Sequence, residues 1–196
     1  MGGFTRGPID KTILLGVGGV IVINPSTDCG AVNILKTCFL AHIPTFSIFV
    51  PMTVEIFNTN FTLNLYGFSG IALNKEYVPT AFQLMDRMWK VVRSNNLKND
   101  GFNVWVFDRG DNVFSGVALT DTPDPTLGLE QKTILLTKYA SYKHIGPYSM
   151  IKQAGQNMRK ELQKMGYESA MPYIEIYGHM TDDETGLETE LLVALK

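Results

Sequence analysis

The chain has 196 residues, 45% of them hydrophobic, and a formal net charge of -2. That is enough apolar material for one domain with a buried core, and Lys and Arg are interspersed with acids in no basic stripe, which excludes a surface built to track phosphate backbones. Cys29 and Cys38 make no disulfide framework, and His42, His144 and His179 stand at no metal-ligand spacing, so neither a metal nor a cofactor is expected.

Residues 1–51 differ from the rest. Their charges are confined to Arg6, Asp10, Lys11, Asp28 and Lys36, and they hold two apolar runs, 13–23 and 37–50. The first run follows basic residues as a signal-like segment would, yet it falls short of the ~20 apolar residues of a membrane span. Gly16, Gly18 and Gly19 lack the spacing and the following helix of a dinucleotide loop. The region is expected to be an N-terminal extension, arising as a start-site artefact, a tag or a signal-like segment, with the domain proper over 52–196.

From Met52 the pattern is that of a repeated unit. Phe61, Leu63 and Leu65 alternate with polar or small partners over 61–66, which predicts a half-buried strand, and a glycine-bearing segment, 67–70, follows it. Val78, Phe82, Met85, Trp89 and Val92 step by 4, 3, 4 and 3, one apolar face of a helix that Pro79 is suited to begin. Short strands at 103–107 and 113–119 flank the turn Asp108-Arg109-Gly110-Asp111. A proline-bearing linker, 121–128, closes the first copy.

The second copy repeats the order. A strand is expected over 134–143, then a turn at Gly146-Pro147, then a helix with Ile151, Ala154, Met158, Leu162 and Met165 on one face, ended by Gly166. Strands follow at 172–177 and 187–195. Gly70 and Gly146 are 76 positions apart (146 − 70), and Val117 and Val193 are again 76 apart (193 − 117). Two such units, about 54–120 and 131–196, predict an α+β fold: a duplicated strand-helix-strand-strand unit forming one curved antiparallel sheet, with two helices on one face and a ligand cleft on the other.

Period-two alternation sorts the strand 172–177 into two faces. Ile174 and Ile176 are expected beneath the helices, with Tyr173, Glu175 and Tyr177 on the open side. In the first copy Trp105 and Phe107 would join them, placing one carboxylate among aromatic rings. Such a cleft suits an organic cation, since ring faces attract positive charge by ~0.5–2 kcal/mol each. Tyr142 and Tyr148 are further lining candidates, and the helical methionines Met85, Met88, Met150, Met158 and Met165 read as core.

The strings Tyr142-Lys143-His144-Ile145-Gly146-Pro147-Tyr148, Gly166-Tyr167, Pro172-Tyr173-Ile174-Glu175-Ile176-Tyr177 and Glu188-Thr189-Glu190-Leu191-Leu192-Val193-Ala194-Leu195, in this order, resemble GyrI-like small-molecule-binding domains, also found as effector-binding domains of AraC-type and multidrug-responsive bacterial regulators. The resemblance covers about residues 52–196. It implies a cytoplasmic stand-alone binder of small amphipathic, aromatic and cationic compounds, with Glu175 at the position of the family's pocket glutamate. Two alternatives come with it. One is a hydrolase of reactive cyclopropane-type compounds, with Glu175 as base and Tyr142 or Tyr177 as acid. The other is a gyrase-inhibitor-like module that binds protein. No membrane partner is expected.

Overall fold

The computed structural model describes residues 53–179 and 181–196; the expected extension, 1–51, lies outside them. The elements, in chain order, are β1 (Glu55–Phe57), β2 (Phe61–Ile71), α1 (Tyr77–Ser94), β3 (Asn103–Phe107), β4 (Asn112–Val117), β5 (Glu130–Leu136), β6 (Tyr139–Ile145), α2 (Ile151–Lys164), β7 (Ser169–Tyr177) and β8 (Glu188–Leu195). Among the described residues no helix is long and apolar enough to cross a membrane.

All eight strands form one antiparallel sheet in the order β1-β6-β8-β7-β3-β4-β2-β5. The expected α+β class, duplication and curved sheet are present. The two repeats, β2-α1-β3-β4 and β6-α2-β7-β8, meet at the central pair β3·β7. Each outermost strand is exchanged: β1 precedes the first repeat but pairs with β6 of the second, while β5 precedes the second repeat and pairs with β2 of the first.

That exchange dictates the curvature. Only Thr137 and Lys138 separate β5 at one end of the sheet from β6 near the other, and only residues 58–60 separate β1 from β2. Connections so short bring the two ends together, so the sheet curls into a half-barrel. Phe57 and Phe61 both pack on Tyr139, at 5.0 and 5.5 Å between ring centres. The inward face is filled by the sheet's own side chains, including Leu65, Val104, Val106, Phe114, Ile174 and Leu192, with no helical residue among them. Gly67 lies opposite Gly116 on this face. A Cβ on Gly67 would fall 1.9 Å from the Ser115 carbonyl oxygen, so glycine there lets the two backbones approach, and a Cβ on Gly116 would meet the Phe114 ring, so glycine there leaves room for that ring.

Both helices cover the outward face. α2 buries Ile151, Ala154, Met158 and Leu162 against Leu191, Val193 and Tyr173. α1 buries Met88 and Val92 against Phe68 and Val117, and Ala81 against Trp105 and Val113.

Several expectations are corrected here. The cleft does not lie on the face away from the helices. That face is the closed interior of the half-barrel, and Ile174 and Ile176 belong to it rather than to the helix side. Both faces are apolar, so the aliphatic residues mark the curled interior and not the helix cover. The strand expected over 134–143 is two strands, β5 and β6, broken at Thr137-Lys138. The segment 67–70 continues β2 instead of ending it. Met88 and Met158 are core, whereas Met150 and Met165 are half exposed.

Candidate functional site

A cavity of about 1930 Å³ opens between α1 and α2, with β3 and β7 as its floor. The register sets that floor in rows. Asn103 lies opposite Tyr177, Trp105 opposite Glu175, and Phe107 opposite Tyr173. Strand alternation puts all six on the helix side. β7 reaches this register after an irregularity between Ala170 and Tyr173, where Pro172 has no N–H to give to the ladder.

The walls come from the helices. Val78, Phe82, Met85 and Trp89 of α1 line one side, and Ile151, Gly155 and Arg159 of α2 line the other, with Tyr148 just ahead of α2. Of the five positions expected on one apolar helix face, Val92 is buried, while the stripe Val78-Phe82-Met85-Trp89 overhangs the cavity with Val78 and Phe82 about half exposed. The stripe seated on the sheet is its neighbour, Ala81-Met88-Val92. A helix carrying two adjacent apolar stripes can pack on a sheet and still offer an apolar wall. That breadth was the signal for the cavity in the sequence.

Aromatic rings surround the centre. Trp105 meets Phe82 edge-on at 5.0 Å and Tyr177 at 4.8 Å. Tyr177 in turn meets Tyr148 edge-on at 5.3 Å, and Phe107 stacks on Tyr173 at 5.9 Å. Within this ring Glu175 is 8% exposed. The Tyr177 hydroxyl donates to its Oε2 at 2.6 Å. Burial raises the Glu175 pKa above the usual carboxylate range, while hydrogen bonding from Tyr177 and Tyr173 and the charge of Arg159 act in the opposite direction. Burial and the adjacent carboxylate push both tyrosine hydroxyls well up, so they remain protonated donors.

Glu175 has no ion-pair partner within 4.0 Å among the described residues. The buried Trp105 Nε1 and Asn103 Oδ1, both from residues of the cavity lining, also lack hydrogen-bond partners there. A carboxylate on an aromatic floor gives a ligand one charge contact, with apolar area around it.

Of the residues singled out from sequence, Glu175, Tyr173, Tyr177, Trp105, Phe107 and Tyr148 line this one cavity. Tyr142 does not; it packs with the α2 cluster, so of the two tyrosines considered as acid partners only Tyr177 touches the carboxylate. Two contributors went unnoticed. Gly155 sits within α2 over the Tyr173 hydroxyl, and a Cβ there would lie 2.7 Å from that oxygen. A mid-helix glycine costs ~1 kcal/mol relative to alanine, which is the sequence clue that something needs the space. Arg159 stands with its guanidinium carbon 4.7 Å from the Tyr173 ring centre. Among the described residues no group of His, Cys, Asp and Glu is arranged to hold a metal.

The chain matches the family model of the GyrI-like small molecule binding domain over residues 71–196. No curated protein matches it. Among solved structures, it resembles the EcmrR C-terminal domain at 14% identity and a TM-score of 0.54, covering 74% of this chain and 98% of that one. A Staphylococcus aureus MU50 protein gives 15% identity and a TM-score of 0.50, covering 74% and 99%. SAV2435 bound to tetraphenylphosphonium gives 13% identity and a TM-score of 0.48, covering 74% and 94%. At these identities the likeness to solved structures is one of fold.

Proposed function

The chain belongs to the GyrI-like family of small molecule binding domains, and from that premise we propose that it binds amphipathic aromatic cations in the cleft between α1 and α2, with Glu175 selecting the sign of charge. The supporting observation is the setting of that carboxylate: nearly buried, without a contacting counter-ion among the described residues, and enclosed by Trp105, Tyr173 and Tyr177. A buried acid of this kind destabilises the ligand-free fold unless something compensates it. Two tyrosine hydroxyls compensate it in part, and a ligand cation would complete the compensation.

Apolar contact supplies most of the affinity in such a site. The ring faces add ~0.5–2 kcal/mol each for a cation, and the carboxylate rejects anions of the same shape. A planar or multi-ring cation can lie along the Trp105–Phe107 floor with α1 and α2 on either side.

Titration of tryptophan fluorescence with tetraphenylphosphonium and with tetraphenylborate, its anionic isostere, tests the reading. The phosphonium is expected to bind in preference, and Glu175→Gln to weaken it at least tenfold while leaving the borate unaffected or improved. Equal phosphonium affinity in the Gln variant would remove Glu175 from the role.

A further inference from the structure

We propose that Arg159 is a resident occupant of the cation-binding surface, lying over the Tyr173 ring in the ligand-free protein and displaced when an organic cation enters. The proposal rests on the cation-binding reading of the site and concerns how that binding is regulated.

The geometry has three parts. The guanidinium carbon lies 4.7 Å from the Tyr173 ring centre, inside the ~6 Å range over which a ring face attracts a cation. The ring it covers belongs to the floor residue next to Glu175 on the same face of β7, and Phe107 stacks on that same ring. Arg159 therefore stands where an incoming cation would find both a π face and the field of the carboxylate. It does so without an ion pair within 4.0 Å among the described residues, so the ring face and the field of Glu175 hold it there rather than a direct salt bridge.

Its position on α2 makes displacement easy. Arg159 is exposed, so a guanidinium leaving the ring returns directly to water. The residues three and four positions away along the helix are Gly155, Gln156, Leu162 and Gln163, none of them acidic, so no helical neighbour competes to hold the side chain elsewhere. The cavity is its electrostatic anchor.

A consequence for ligand class follows. To enter, a cation must interact with the Tyr173 face better than a guanidinium does, and it must bring apolar area that the guanidinium lacks. Bulky aromatic cations satisfy both conditions. Small, strongly hydrated cations satisfy neither, so Arg159 raises the threshold against them.

The test uses the whole chain in sodium buffer, with tetraphenylphosphonium as probe and isothermal calorimetry as readout. Arg159→Gln is expected to bind the phosphonium about fivefold more tightly than the native chain, the removal of one ring-face competitor, equivalent to about 1 kcal/mol. Lys160→Gln removes the same charge from the next position of α2, which is exposed and outside the cavity lining, and is expected to stay within about twofold of the native chain, as a screened surface charge does. Unchanged or weaker binding in Arg159→Gln, or an equal gain in Lys160→Gln, overturns the proposal. If the native chain binds the phosphonium and Arg159→Gln shows no gain, the resident-cation idea fails and the cation site stands. If neither protein binds, both fail. Binding only in Arg159→Gln supports both.

Discussion

At the scale of single residues, Glu175 carries opposite consequences for stability and for binding. Burial raises its pKa, so the folded state holds its proton more tightly than the unfolded chain does. The favourable contribution is fully present below the ordinary carboxylate pKa of about 4.3 and is lost as pH rises through the raised folded value. Glu175→Gln is therefore expected to be more stable than the native chain at neutral pH, by on the order of 1 kcal/mol or about 2–4 °C in Tm, with the gap closing toward pH 4. Thermal melts across pH 4–8 check this. A gap that widens on acidification would show that the carboxylate is satisfied as an ion. Cation affinity runs the other way and should rise with pH across the same interval, because only the ionised form attracts the ligand. The acid was singled out by its place between Tyr173 and Tyr177 on an alternating strand together with the family resemblance over that strand, since the alternation alone fits a solvated carboxylate equally well. Arg159 and Gly155 were not, because their roles depend on how α2 is rotated over β7, and periodicity does not set that rotation.

At the scale of elements, α1 carries its buried residues and its cavity-wall residues on two neighbouring stripes. Met88 is fully buried, whereas Phe82 is about half exposed over the cavity. Met88→Ala should lower the unfolding free energy by about 2–4 kcal/mol, while Phe82→Ala should cost less than about 1 kcal/mol and weaken ligand binding instead. Denaturant melts and titrations of the two variants separate the effects. A large stability loss in Phe82→Ala would mean that the overhanging stripe is core after all. Strand and helix order were readable throughout because period two and period 3.6 are local properties. The assignment of sheet faces was not. Tyr173, Glu175 and Tyr177 seemed to belong to an open side only if Ile174 and Ile176 needed a helix to cover them, and the curled sheet covers them itself. The break at Thr137-Lys138 was missed for a related reason: apolar and β-branched residues on both sides of it give one continuous strand-like run.

At the scale of the whole molecule, the family match begins at residue 71, yet β1 and nearly all of β2 lie before it. β2 is an interior strand, paired with β4 on one side and β5 on the other. A chain beginning at Ile71 should therefore fail to give a cooperative melt, since β4 and β5 would face each other across a missing strand. A chain beginning at Met52, the boundary expected from composition, should melt and bind as the full chain does. Circular dichroism melts of the two fragments decide it, and a cooperative Ile71 fragment would contradict the pairing.

The crossed placement of β1 and β5 bears on how the two repeats hold together. Each repeat completes its own half of the sheet with a ribbon that enters from beside the other, so neither half is self-contained. Separating them would strip an edge from both at once, and the duplicated chain behaves as a mutual clasp rather than as two beads on a string. The ligand cleft straddles the seam of that clasp. A molecule bound there would touch both repeats, so occupancy of the cleft is expected to raise the melting temperature of the paired repeats together.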